Sequence, residues 1–443
     1  MLQALSNIFK IPDLRKKVLV TLGLFVVYRI GAYIPTPGID SSALAQFFDN
    51  IAKQQGGTLF GIMNMFSGGA IQRLTVFALG IMPYISASII LQLLTTVVPY
   101  LERLSKEGEA GRKKITQYTR YGTIVLSVVQ SFFISLWLEN PAHFQGLQIV
   151  QFTGWAFRLL SVLTLTTGTA FIMWLGEQIQ EYGIGNGISL IITVGIISRL
   201  PSALYQVSFY LKTGQMDPLK LVLMAVIMVA VIVAVILITQ GQRRIPVQYA
   251  RRIIGRKVYG GQSTYIPLRV NQAGVIPIIF AQSIILFPAT LAGVMPNPLL
   301  QAIANSLTRG GILYLIFYTG LIIFFTYFYT AVTFNPIDIA DNMRKYGGFV
   351  PGIRPGKPTA QYFDFILTRI TLPGAIFLAI IAVFPELIGG ALSIPYLVAS
   401  FFGGTGLLII VGVMLDTMRQ VESHLLMRHY EGFMKKGRIR GRR

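Results

Sequence analysis

Cysteine is absent from all 443 residues, so neither a disulfide nor a thiolate metal centre is open to this chain. Histidine is nearly absent: His143, His424 and His429 are the only three, and none pairs with another at ligand spacing on an apolar helix, which argues against zinc or any other metal site. Acidic residues are scarce, 17 against 38 Lys and Arg, and none falls in the middle of an apolar run; Glu177, Glu386 and Asp416 sit at the ends of such runs. Ion-coupled transporters keep a carboxylate at mid-span, so that class is disfavoured. A phosphate loop is missing as well. GIRPGK (352–357) has only three residues between its glycines, and Pro358 stands where a magnesium-binding hydroxyl belongs. Gly183, Gly185 and Gly187 lie between two apolar runs, the wrong setting for a dinucleotide fingerprint and a natural flexible entry to a helix. No nucleotide, cofactor or enzymatic chemistry is expected. The first residues, MLQALSNIFKIPDLRKK, lack a small-residue cleavage pattern, so no cleavable signal is expected.

What remains is apolar and basic. Hydrophobic residues make up 53% and charged residues 12%, the balance of an integral membrane protein. Ten membrane helices are expected, at 18–34, 74–98, 121–138, 157–175, 187–204, 219–239, 273–294, 312–334, 370–388 and 397–415. An even number puts both termini on one side. Lys and Arg crowd the amino terminus, the second-to-third, sixth-to-seventh and eighth-to-ninth loops and the tail at 416–443, which makes that side cytoplasmic. Residues 177–186 carry no Lys or Arg, while Arg199, Lys212 and Lys220 flank the loop assigned outside; the other loops outvote this pair. The loops at 240–271 and 335–369 exceed what connectors need and are expected to project into the cytoplasm. In the first, Gly260-Gly261 between two β-prone stretches suggests a hairpin. Lys and Arg in such loops attract anionic lipids, and the reach of the loops suits a large anionic or acidic partner.

The stretch from Phe60 to Val98 organises the chain. Its first part, FGIMNMFSGG, is too short to cross a bilayer and is expected to be re-entrant, with Gly68-Gly69 as the hinge to the span that follows. Pro83 is read inside that span. Polar side chains recur at membrane depth: Ser86, Ser88 and Gln92, then Gln130, then Gln282 and Ser283, then Thr326 and Thr330. They serve either as interhelical glue or as a polar seam between helix pairs that part. Ile81 with Ile85, and Ile188 with Ile192, are four apart and share a helix face; they pack against core or lipid, or converge into a constriction that gates by dewetting.

Seven stretches, among them SGGAIQRLTVFALGIMPYISASIILQLL, LGEQIQEYGIGNGIS, NQAGVIPIIFAQSIILFP and FVPGIRPGKPT, resemble the SecY family, the channel subunits of bacterial protein translocases. The resemblance runs in order over nearly the whole chain. It implies an all-α fold of ten transmembrane helices in two pseudo-symmetric five-helix halves, 1–210 and 211–443, with a re-entrant plug. The implied pore ring is Ile81, Ile85, Ile188, Ile192, Ile279 and Ile409. The implied plug is 60–69, with Phe60, Met63, Asn64, Met65, Phe66, Ser67, Gly68 and Gly69. A lateral gate falls between the second and third spans and the seventh and eighth, with Ser86 opposite Phe287 and with Ser88, Gln92, Gln130, Gln282 and Ser283 along it. Docking of the ribosome and of the SecA motor ATPase falls on Arg243, Arg244, Arg251, Arg252, Arg256, Lys257, Arg344, Lys345, Arg354 and Lys357. The resemblance further implies a bacterial plasma membrane location, SecE and SecG as companion subunits, and signal-bearing preproteins and nascent chains as passengers. The residues and the resemblance together lead to the expectation of a protein-conducting channel rather than a solute transporter or a membrane scaffold.

Overall fold

The computed structural model describes residues 11–54, 67–144, 148–214, 217–249, 252–254, 257–259, 263–294, 302, 311–392 and 404–436. The first helix, α1 (Pro12–Gly31), has proline at its start, where the missing N–H has no partner to lose. After it comes α2 (Ser41–Gln54), which hydropathy does not announce because it is amphipathic and short. Asp40 caps it, its Oδ1 accepting from the N–H groups of Ser42 at 3.0 Å and Ala43 at 3.1 Å. The Ser42 hydroxyl, then the Ala43 and Ser42 N–H groups, hold the Asp40 carboxyl below the usual carboxylate range. Leu44 and Phe47 of α2 are buried against Leu74, Leu138, Phe144 and Phe157.

The second span departs from its expected limits. Residues 67–81 run as successive turns, Leu74 takes a positive φ of 41°, and an isolated bridge joins Pro35 to Thr75. The helix proper, α3 (Met82–Val97), therefore begins eight residues later than the apolar run. Pro83 thus lies in a first turn, where it costs no hydrogen bond, and not in mid-span. Past α3 the chain bends by 99° into α4 (Pro99–Lys106). Pro99 forces the bend, because the residue before a proline is driven to extended angles and Val98 has φ −94° and ψ 112°.

Two long helices follow, α5 (Glu109–Glu139) and α6 (Trp155–Tyr182), packed on each other. The buried face of α5 carries Thr119, Thr123, Ser127, Ser131 and Ser135, one every four residues. Small side chains at that spacing share one face and let helices approach. Their hydroxyls bond back along α5, as Ser131 does to the Ser127 carbonyl at 2.6 Å. Arg158 closes the pair with a 2.6 Å ion pair to Glu139. Next are α7 (Gly187–Ile197) and α8 (Leu200–Lys212), interrupted near Pro201, and α9 (Pro218–Gln240). The last of these has a mean hydropathy of 3.5 and is only 17% buried, which leaves most of its surface for lipid or a partner helix.

Chain-distant segments then build a small sheet, so the fold is helical with a β-containing body rather than wholly α. Strands β1 (Gln242–Tyr249) and β4 (Ser263–Arg269) pair antiparallel from Gln242↔Arg269 to Gln248↔Ser263. Between them, β2 (Arg252–Ile254) pairs antiparallel with β3 (Lys257–Tyr259), so the chain reverses between Ile254 and Lys257; Gly260-Gly261, where the sequence suggests a hairpin, lies outside the described residues. The remaining elements are α10 (Ile276–Val294), α11 (Ile312–Thr333), α12 (Pro336–Lys345), β5 (Gly348–Phe349), α13 (Lys357–Leu392) and α14 (Thr405–Lys436). Strand β5 adds to the free edge of β1, giving the order β4-β1-β5.

Among the described residues, six helices or helix runs are long and apolar enough to cross a membrane, or seven if α3 and α4 count as one bent span. Packing sorts the long helices into two groups. One contains α1, α3, α5, α6 and α7; the other contains α9, α10, α11, α13 and α14. The groups meet where α10 lies against α3 and α5, and where α14 lies against α7.

Candidate functional site

Four helices, two from each group, carry the six isoleucines into one large apolar cluster. Ile81 and Ile85 at the start of α3, Ile192 on α7, Ile279 on α10 and Ile409 on α14 are all buried in one apolar cluster, and Ile188 packs against it half-buried. Close backbone approaches set these positions. A Cβ on Gly187 would lie 1.8 Å from the Gly176 carbonyl oxygen, so only glycine lets the start of α7 sit this tightly on α6. On the other side, a Cβ on Gly412 would lie 2.4 Å from Val275 Cγ1, which fixes the entry to α10 against α14. Ile279 is one turn past Val275, and Ile409 is nearly one turn before Gly412, so both sit beside that contact. Asn186 caps α7, its Oδ1 accepting from the Ser189 N–H at 3.2 Å.

A cavity of about 320 Å³ is lined by residues of both groups. Asn186 and Ser189 reach it from α7; Arg269, Gly274, Asp416, Arg419 and Gln420 reach it from the other group. Arg419 donates to the Thr239 carbonyl at 2.8 Å and pairs with Asp416 at 3.4 Å. Ala273, Val275, Ile276 and Val413 line the cavity as well, so its wall mixes polar and apolar side chains.

The sequence-assigned plug falls mostly outside the described residues, including Phe60, Met63, Asn64, Met65 and Phe66. Its last three residues are described. Ser67 is buried, and Gly68 and Gly69 have φ of 66° and 92°, angles that favour glycine. A Cβ on Gly68 would stand 3.1 Å from the Gly195 Cα of α7, and the Gly68 carbonyl accepts from Arg29 at 3.3 Å. Around Gly69 there is open space.

The polar residues assigned to a gate are carried by α3, α5 and α10, which pack on one another. Ser86, Ser88 and Gln92 are half-buried on α3, Gln130 is half-buried on α5, and Gln282 and Ser283 are buried on α10. The side chain of Phe287 lies outside the described residues. Bonds made by these side chains and their neighbours stay within their own helices: Ser283 to the Ile279 carbonyl at 2.8 Å, Thr326 to that of Ile322 at 2.6 Å, Thr330 to that of Thr326 at 2.7 Å. Among the described residues, Gln92 Oε1 and Gln282 Oε1 are enclosed without a hydrogen-bond partner. Among the described residues, the contact of α10 with α3 and α5 is therefore packed without a side-chain hydrogen bond across it.

The basic loops, read separately in the sequence, form one body. Ile245, Val247 and Leu268 from the sheet pack with Met343 of α12, Val350, and Phe363, Ile366 and Leu367 of α13. Arg243, Arg244, Arg344, Lys345, Arg354 and Lys357 are exposed on it, and Arg244 stacks over the Tyr265 ring at 4.8 Å. Arg354 projects from the turns before α13, its carbonyl held by the Thr359 hydroxyl at 2.8 Å. Arg251 and Arg256 lie outside the described residues, as do the side chains of Arg252 and Lys257. In the sequence, Ile245 and Val247 alternating with polar residues along β1 are the trace of this body; the addition of β5, from some 100 residues away, left none.

Comparison with known proteins places this architecture. The SecY family model matches residues 75–418. Protein translocase subunit SecY of Escherichia coli K12 is 50% identical over 433 residues, covering 97% of this chain and 96% of that protein. The SecY subunit of Thermotoga maritima is 46% identical over the full length of both. Among solved structures, one described as a protein conducting channel superposes with a TM-score of 0.63 at 18% identity, covering 92% of each chain. Sec61 in a canine ribosome-channel complex superposes with a TM-score of 0.58 at 17% identity, again over 92% of each.

Proposed function

Since the chain belongs to the SecY family of protein translocase subunits, we propose that it is the protein-conducting channel of a bacterial plasma membrane, passing unfolded preproteins across and releasing signal sequences or membrane helices sideways. The observation that supports this reading is that Ile81, Ile85, Ile188, Ile192, Ile279 and Ile409, from four helices in two packing groups, all belong to or pack against one apolar cluster. A passenger polypeptide has no fixed sequence, so its channel cannot rely on specific polar contacts. Stiff β-branched side chains close around any backbone and exclude ions by dewetting when it is empty.

In this reading the two packing groups are the halves 1–210 and 211–443 of a ten-span clamshell, with 60–69 as the plug and both termini in the cytoplasm. The contact of α10 with α3 and α5 is the lateral gate, along Ser86, Ser88, Gln92, Gln130, Gln282, Ser283 and Phe287. SecE clamps the halves and SecG joins them, the exposed surface of α9 being of the kind a membrane partner helix covers. The body bearing Arg243, Arg244, Arg344, Lys345, Arg354 and Lys357 receives SecA or the ribosome, both of which offer acidic or anionic surfaces. Energy comes from those partners, because no nucleotide motif occurs in the chain.

The test is reconstitution. The purified chain with SecE in vesicles containing anionic lipid, supplied with SecA, ATP and a signal-bearing preprotein, is expected to shelter that preprotein from external protease. Sheltering that does not depend on the chain, or none at all with active SecA, overturns the reading.

A further inference from the structure

We propose that Gln420 is a positioning residue that holds the pore helices α7 and α14 in register when the channel is shut. This rests on the channel reading and adds a specific joint to it.

Beside the contact between α7 and α14, one side-chain hydrogen bond among the described residues joins the two packing groups across 235 residues of sequence: the Gly185 N–H donates to Gln420 Oε1 at 3.0 Å. Gly185 belongs to the loop that feeds α7, one residue before the Asn186 cap. Its φ of 96° and its crowding suit glycine alone, since a Cβ there would meet Leu190 Cδ1 at 2.7 Å and Thr417 Oγ1 at 3.1 Å. The neighbouring Ile184 is buried with Leu14 of α1 and Val421 of α14, and its N–H donates to the Thr21 hydroxyl of α1 at 3.2 Å. This loop is thus fastened to α1 on one side and to α14 on the other. Helix α7 carries Ile188 and Ile192, and α14 carries Ile409, so whatever ties Gly185 to Gln420 also sets how those isoleucines meet.

The bond is suited to opening. Gln420 is otherwise exposed, donor and acceptor are both neutral, and water replaces either partner once they part. Losing it shifts the open-to-shut ratio about fivefold, the equivalent of about 1 kcal/mol at tenfold per 1.4. Ile184 stays clustered with Leu14 and Val421, so the joint loosens without the two groups separating.

The experiment compares Gln420→Leu and Gln420→Glu with the unaltered chain, each assembled with SecE in vesicles, reading resting ion conductance and SecA-driven transport of a preprotein with a shortened apolar signal. Gln420→Leu is expected to raise both about fivefold, whereas Gln420→Glu, which keeps an acceptor oxygen at the same reach, stays at or below the unaltered level. Should Gln420→Leu not assemble, Gln420→Asn, one methylene too short, serves in its place. Equal behaviour of Leu and unaltered chains overturns the proposal, and so does an equal rise in Leu and Glu variants. Failure of the unaltered chain to transport an intact preprotein strikes the channel reading instead, so the two failures are distinct.

Discussion

Gln92 and Gln282 pose an energetic question, because each holds an enclosed amide oxygen with no partner among the described residues, on the two sides of the α3–α10 contact. A buried, unpaired polar group costs roughly 1–3 kcal/mol, and the cost disappears when water or a passenger's backbone reaches it. The shut seam is thereby less stable than its packing alone makes it, and separation relieves part of the cost. Gln282→Leu removes one such group while keeping the volume. The expected outcome is a rise of a few degrees in melting temperature together with slower SecA-driven transport, measured on the same reconstituted complex. A lower melting temperature would show that the amide is held by contacts and not strained by their absence. These glutamines were legible in the sequence as polar residues at membrane depth. Their lack of partners was not, since satisfaction depends on which helix lies opposite, and local sequence does not carry that.

The same division between local and distant causes runs through the helices. Apolar length and composition forecast α9 and α11 closely, but they missed the polar first turns of α5, which begins at Glu109 and not at 121, and the polar end of α6, which runs on to Tyr182. They misplaced the start of α3, because a hydropathy window sees an apolar run from Leu74, while the backbone sees a chain pinned by its bridge to Pro35 and released into a helix only at Met82. Pro83 and Pro99, read as helix boundaries rather than interruptions, would have bracketed α3 from sequence alone. The seating of α7 on α6 left a weaker trace. Gly176 and Gly187 are two glycines among 44, and only the 1.8 Å that a Cβ on Gly187 would leave to the Gly176 carbonyl singles them out. Gly187→Ala must push α7 off α6, moving Ile188 and Ile192 with it. We expect a loss of roughly 1–3 kcal/mol in stability, as overpacked sites show, and a raised resting ion conductance. Destabilisation with unchanged conductance would mean that α7 does not line the pore.

Taken together, the two groups of helices meet where α10 lies against α3 and α5 and where α14 lies against α7. If the first contact is the lateral exit, locking it must stop transport while the second is left intact. The chain's lack of cysteine makes the lock clean, since Ser86→Cys with Phe287→Cys introduces the only thiols present. Both positions lie on the helices that meet there, Ser86 on α3 and Phe287 on α10. Oxidation of that double variant in vesicles is expected to abolish SecA-driven transport of a signal-bearing preprotein, and reduction to restore it. Each single variant, oxidised in the same way, is expected to transport normally. Undiminished transport with the bridge fully formed would show that the signal leaves by another route, and the unpaired glutamines would then need a different explanation from the one their position between the halves suggests.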